Sequence, residues 1–374
     1  MTKQSSGLIP RTVTAICDGF QRRLHSGVQL FVSQDGNVVF DEVIVDDESH
    51  SLLTRDTLMP LLSAAKPLTA VAVLQLVERG LLDLDSPVGD VIPEFAAGGK
   101  HAITTRYLLT HTGGFRDVDT GWPHSNWEES LQRVYSTPLE DDWVVGETAG
   151  YHVASSWFVL GELIRRLDGR SFSDYLRQQI CEPLGMTDVW NGMPEDVWRS
   201  YGNRVGRMEQ FERGEARELP WHDLAHCSAA APGGNTRGPV RQLGYFYQCL
   251  LNGGVLDGVR VLQPETVGDL TSRHRIGAFD QTLQHVVDFG LGVIVDSNQY
   301  GAETVPYGYS RYCSERTFGH GGSQSSIGFA DPEHGLVVCY VADRRVGEPR
   351  HQKRHREIVN AIYEDLRLTE TSTP

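Results

Sequence analysis

Lysine is nearly absent from this chain. Only Lys3, Lys66, Lys100 and Lys353 occur, and arginine supplies the rest of the 34 basic residues. Acidic residues number 49, so the formal net charge is −15, which excludes a nucleic-acid partner because phosphate binding rests on positive charge. The six cysteines, Cys17, Cys181, Cys227, Cys249, Cys313 and Cys339, form no C-x-x-C pair. That excludes a zinc knuckle or a dense disulfide framework and leaves free thiols. No apolar run approaches the roughly 20 residues that span a bilayer, and no membrane partner is expected. Residues 1–10 are polar and lack the apolar core of a secretory signal, which makes the cytoplasm the expected location. There is no internal repeat or low-complexity tract. What remains is 374 residues, 40% hydrophobic and 22% charged, enough for one large or two interleaved domains with a sizeable core.

Against that scarcity, the lysine in Ser63-Ala64-Ala65-Lys66-Pro67 stands out. If Ser63 opens a helix, Lys66 follows on the same face about one turn later, roughly 4.5 Å along the axis. The amine then reaches the hydroxyl, a nucleophile beside its activator. Taken alone, the spacing equally describes a capping serine and a surface lysine. The scarcity of lysine and the apolar run Leu68 to Val77, buried all round, favour the first reading. A guanidinium there would never release its proton, whereas a desolvated ammonium becomes a base. Pro67 suits the first turn and Gly80 the C-terminal cap.

Around this segment the elements fall in the order β, α, β. Residues 12–26 have helical spacing, and Val28 to Val32, Asp35-Gly36 and Val38 to Val45 read as a hairpin. Residues 81–95 connect. The middle reads as helices and loops, with helices over 105–110, 157–167, 172–179 and 240–251 and few strands. All seven tryptophans fall there, and loops such as 121–127 hold too few apolar residues to bury one, so Trp122 is a candidate for lining a cleft. Short strands return at 289–295, 316–319, 326–329 and 336–341, before a terminal amphipathic helix over 357–368. The basic run Arg344 to Arg356 reads as the solvated start of that helix. A domain boundary near residue 85 makes residues 1–85 and 276–374 one discontinuous α/β domain and residues 86–275 an inserted helical domain, with the site at the seam.

Two further segments carry chemistry. Tyr151 precedes the 157–167 helix, and a phenol takes a proton from a serine if nearby cations lower its pKa. In Phe318-Gly319-His320-Gly321-Gly322-Ser323 a polar tip on a strand is followed by glycines that let a substrate approach the backbone, and the amides of Ser63 and Ser323 then suit an oxyanion hole. His222 and His226 are four apart but lack a third ligand, so no metal or other cofactor is expected. His111 has a loop role and competes poorly with Lys66 as an activator.

Taken together, Ser63 to Lys66, Tyr151 and His320-Gly321-Gly322, in that order and at those separations, resemble the three motifs of the serine β-lactamase-like superfamily. The branch is that of class C β-lactamases and the β-lactamase-fold esterases and transacylases. Leu108 to Gly114, Glu182 to Thr187, Leu250 to Gly254 and Gly328 to Pro332 extend the likeness over roughly residues 15–365. The resemblance implies an α/β (α+β) fold, a mostly antiparallel sheet flanked by helices with a helical insertion. It also implies that Ser63 is acylated, that Lys66 and Tyr151 manage its proton, that His320 stands where β-lactamases carry a lysine, and that the Ser63 and Ser323 amides bind the oxyanion; His152, Val153, Trp122, Gly321 and Gly322 are the candidates for lining the substrate.

Two departures bear on the substrate. The position two after the tyrosine is usually an asparagine that holds a substrate amide; here it is Val153, which cannot donate. His320 replaces a permanent cation, and an imidazole is mostly neutral at cytoplasmic pH. The expected partner is therefore a small ester or amide whose acyl group passes to water or to a small alcohol or amine acceptor. A β-lactamase or D-amino-acid peptidase is the alternative enzyme, and an idle binding or scaffold member of the fold the alternative of another kind.

Overall fold

The computed structural model describes residues 8–49 and 51–369; Lys3 and the polar residues 1–7, on which the expected location rests, lie outside the described residues. The centre of the molecule is a six-stranded, fully antiparallel sheet built from both ends of the chain. Its strands are β1 (Gly27–Gln34), β2 (Asn37–Val45), β3 (Ile294–Val295), β4 (Phe318–Gly322), β5 (Ser326–Asp331) and β6 (Leu336–Ala342), in the spatial order β3-β4-β5-β6-β1-β2. The β1–β2 hairpin turns at Asp35 and Gly36, with φ of 50° and 78°. Both signs are those of the tight turn whose twist matches the strands.

Helices cover both faces, which is why β1 and β6 are buried at nearly every position rather than alternately. On one face lie α1 (Pro10–Gln21) and the terminal helix α5 (Glu348–Asp365); on the other, α4 (Val240–Leu251). Side chains sort by the two-residue period: Val337, Cys339 and Val341 join the α4 side, while Leu336, Val338 and Tyr340 join Ile358 and Ile362 of α5. Helix α4 crosses so closely that a Cβ on Gly244 would lie 2.3 Å from the Phe31 ring. Gly244→Ala should therefore destabilise the fold by about 1–3 kcal/mol, although alanine is the better helix former. Urea unfolding checks this, and a stabilised variant would show that the crossing yields.

The Ser63 segment enters as a 3-10 turn, Leu62–Ala65, and only then becomes the helix α2 (Lys66–Glu78). The serine therefore stands in the turn before the helix rather than at its first residue. At the far end Gly80, φ 69°, closes α2: its N–H donates to the Val77 carbonyl and that of Leu81 to the Leu76 carbonyl, a Schellman cap. Packed against α2 is α3 (Ser155–Asp168). Among the described residues no helix is long and apolar enough to cross a membrane.

The structure corrects three expectations. The middle region contains a hairpin, Met208–Glu212 with Glu215–Leu219, hidden by its charged edge sequence. The glycines of residues 319–322 lie within β4 rather than after it. Helix α5 begins at Glu348, with Pro349 in its first turn, and its basic start is solvated only in part, at Arg350 and Lys353. His351, Arg354 and His355 are buried, and the Arg354 guanidinium donates to the carbonyls of Leu24, Arg344 and Gln324.

Candidate active site

Ser63 is presented by a strained backbone. Leu62, just before it, has φ +52°, a conformation a bulky side chain adopts only when its surroundings impose it. They do so here through Leu61, whose N–H donates to the Thr236 carbonyl at 2.9 Å and whose carbonyl accepts from Ser326 Oγ at 2.6 Å. The turn is thereby pinned to the end of β5.

Lys66 is fully buried. Its Nζ lies 3.2 Å from Ser63 Oγ and 2.8 Å from the Val153 carbonyl, and also contacts the Gly233 carbonyl. Among the described residues no carboxylate pairs with it within 4.0 Å; the rings of Trp157 and Tyr151 stand 4.9 and 5.3 Å away. Burial without a counter-charge lowers its pKa well below that of an ordinary lysine. A neutral amine has two N–H groups and one lone pair: the two carbonyls take the former, and the serine hydroxyl faces the latter.

Tyr151 is within hydrogen-bonding reach of Ser63, but its pKa is raised, first by burial and also by Asp280. A phenolate base needs a lowered pKa, and here burial and Asp280 act in the opposite direction, with no cation offsetting them. Its main-chain N–H donates to Asp280 at 3.0 Å, and Asp280 is held by Arg275 at 2.9 Å. His320 lies with its ring centroid 5.7 Å from that of Tyr151. Burial, with Lys66 adding to it, pushes its pKa down to about 3, so the imidazole is neutral. Its Nδ1 donates to the Gly321 carbonyl at 2.7 Å, which leaves Nε2 as a buried acceptor without a partner.

In front of these groups lies a largely apolar cavity of about 290 Å³, walled by Ser63, Trp122, Val153, Phe158, Trp221 and Ser323 among others. Among the described residues nothing accepts from the main-chain N–H of Ser63 or of Ser323. A larger, polar hollow of about 490 Å³ beside Thr57, Arg207 and Asp343 contains none of the candidate residues.

Trp122 and Val153 thus reach the cavity, as do both oxyanion candidates. His152 does not. It is fully buried, its Nδ1 donating to the Gly150 carbonyl at 2.7 Å and its Nε2 accepting from the Phe115 N–H at 3.3 Å. Gly321 and Gly322 serve close approach inside the protein rather than of a substrate. A Cβ on the first would lie 2.3 Å from the Tyr307 ring, and one on the second 2.7 Å from the Leu61 carbonyl. Sequence reasoning missed Gly233, Asp280, Phe158 and Arg237. Only Pro232-Gly233-Gly234-Asn235 left a sign, as an unassigned turn.

Known proteins are similar to this chain in sequence and fold. The family model described as Beta-lactamase matches residues 15–362. The esterase/beta-lactamase LipL of Mycobacterium tuberculosis is 27% identical over 361 residues, 89% of this chain and 80% of that protein. Monacolin J acid methylbutanoyltransferase of Aspergillus terreus is 31% identical over 175 residues, 38% of this chain and 40% of that enzyme. Among solved structures, a penicillin-binding protein homologue from Caulobacter crescentus superposes with a TM-score of 0.73 at 27% identity, covering 95% of this chain and 97% of the other. The relatives' names span hydrolysis and acyl transfer, and the shared fold and the family match over nearly the whole length agree: this chain belongs to the Beta-lactamase family.

Proposed function

We propose that this protein forms an acyl-enzyme at Ser63 from a small ester and passes the acyl group to water or to a small alcohol or amine. The observation that carries this reading is the Lys66 amine, buried without a carboxylate and facing Ser63 Oγ at 3.2 Å. Neutral Lys66 takes the hydroxyl proton as Ser63 Oγ bonds to the ester carbonyl carbon. The charge that develops on the carbonyl oxygen meets the amides of Ser63 and Ser323. Collapse breaks the bond to the alcohol oxygen, which leaves with a proton relayed through the Tyr151 hydroxyl from the Lys66 ammonium. Acyl-Ser63 and neutral Lys66 remain. The acceptor then repeats the sequence in reverse, its proton passing to Lys66 and Ser63 being released. The same proposal treats residues 1–85 with 276–374 as one unit and 86–275 as the other, with the site at their seam.

Relatives named as an esterase and as a methylbutanoyltransferase support both fates of the acyl group. Val153 and neutral His320 weigh against β-lactams, because neither grips the amide or the carboxylate of such a substrate. Efficient cephalosporin turnover would reverse that ranking.

Intact-protein mass spectrometry tests the proposal. The protein and Ser63→Ala are mixed with a panel of aryl and methyl esters, and an amine is added second. An acyl mass gained by the wild type alone is the expected result. Decay that speeds with amine and yields amide identifies a transacylase, whereas decay indifferent to amine identifies an esterase. If neither ester nor fluorophosphonate adds mass, Ser63 is not a nucleophile.

A further inference from the structure

Two arginines without a carboxylate flank Trp221, Arg237 in the cavity wall and Arg345 against the wall residues Trp221 and Ser323. Arg237 lines the cavity and is only 1% exposed. Its Nη1 donates to the Trp221 carbonyl at 2.9 Å and its Nη2 to Asn235 Oδ1 at 3.1 Å, while its Nε is buried with no partner. Arg345 stacks on the Trp221 ring, 5.2 Å from the centroid; its Nη2 donates to Ser323 Oγ at 3.2 Å, and its Nε is likewise buried and unpartnered. Among the described residues neither has an ion pair within 4.0 Å, although neighbouring Arg344 pairs with Glu209. Such pairing is the rule where acids outnumber bases 49 to 34.

None of the surrounding acids pairs with either arginine, and most are engaged elsewhere. Asp119 also lines the cavity, but its side chain is 85% exposed and pairs with Arg133 at 3.4 Å. Glu212 and Glu348 lie in the neighbourhood of Arg345, and Glu348 accepts the Tyr307 hydroxyl at 2.7 Å. Near Arg237, Asp223 contacts His226 Nδ1 at 2.7 Å. A buried guanidinium without a counter-charge is costly; Arg354 meets that cost with three carbonyls, whereas Arg237 has two partners and Arg345 one. Arginine's planar fork matches a carboxylate.

We infer that Arg237 and Arg345 form a carboxylate subsite on the Trp221 side of the cavity, so that the preferred ester carries a carboxylate. This deepens the acyl-enzyme reading and rests on it. The net charge of −15 repels anions at long range, so the preference comes from these two side chains alone.

The test compares two matched pairs of esters. One places the charge on the acyl part, p-nitrophenyl hemiglutarate against p-nitrophenyl pentanoate; the other places it on the alcohol part, 4-carboxyphenyl pentanoate against phenyl pentanoate. For one pair, kcat/KM should favour the carboxylate about tenfold to a hundredfold. That ratio should fall as salt is raised and collapse in Arg345→Gln, whose side chain is partly exposed and so tolerant of change; Arg237→Gln adds a second reading if it folds. Neutral esters that acylate Ser63 while neither pair shows a preference would overturn the subsite alone. So would a preference that survives in Arg345→Gln and Arg237→Gln. If no ester of either kind acylates Ser63, the acyl-enzyme reading fails and takes the subsite with it.

Discussion

Lys66→Arg should leave Ser63 unacylated, slowing ester turnover by roughly a thousandfold or more. The substitution keeps the positive charge and donor capacity, so it separates two roles that Lys66→Ala would merge. If Lys66 acted as a fixed cation, arginine would serve. Burial lowers the Lys66 pKa and no carboxylate props it up, so the role proposed for it is that of a neutral base, which a guanidinium cannot fill. Single-turnover acylation measured against pH carries the same information. The rate should rise as Lys66 loses its proton and show no limb above pH 5 from His320, held at about 3. Acylation in Lys66→Arg within tenfold of wild type would remove Lys66 from the proton path.

The second large effect is acid lability. His25 and His320, held at about 3, and His152 and His355, at about 4, are lowered mainly by burial. The unfolded chain binds a proton at each near pH 6.5, and the folded chain does so only near 3 to 4. Stability from these groups is therefore complete above about pH 6.5 and is lost as the pH falls toward those lower values. Between pH 6.5 and 5 each contributes a loss of about 2 kcal/mol. Asp296 works in the opposite direction, because burial raises it to about 6 and the folded state then takes up its proton first; one carboxyl offsets only a fraction of four imidazoles. The remainder is comparable to a whole domain's net stability of about 5–15 kcal/mol. The melting temperature at pH 5 should lie at least about 10 °C below that at pH 7.5. Equal values, followed by circular dichroism, would mean that these rings titrate freely in the folded state.

What could be read from the chain was local or periodic. Ser63 and Lys66 lie three apart, so their meeting needs only one turn of backbone. Asp35-Gly36 declares its hairpin through the residues that tolerate positive φ, and β6 declares itself by unbroken apolarity. What escaped depends on distant partners. Whether Tyr151 is a base or a donor is set by burial and by Asp280, 129 positions away, and neither is written near the tyrosine. Arg354 sits in a run of charges that reads as solvated, yet three carbonyls from separate segments take it inside. Gly321 suggested room for a substrate because its need comes from Tyr307, on a segment with no recognisable pattern. The corrected β4 shows the same effect: glycine weakens the strand signal where the tertiary structure most requires glycine.

The placement of β1 sets a timetable for synthesis. Its partner on one side, β2, follows at once, but its other partner is β6, and Gln34 pairs with Leu336. At about 5–20 residues per second, those roughly 300 intervening positions take about 15–60 s to emerge. Throughout that interval a nascent chain carries an apolar strand with one row of hydrogen-bonding groups open, the feature through which strands recruit the wrong partners. Yield in the cell will therefore depend on what shields that edge until β6, in the last tenth or so of the polypeptide, has left the ribosome.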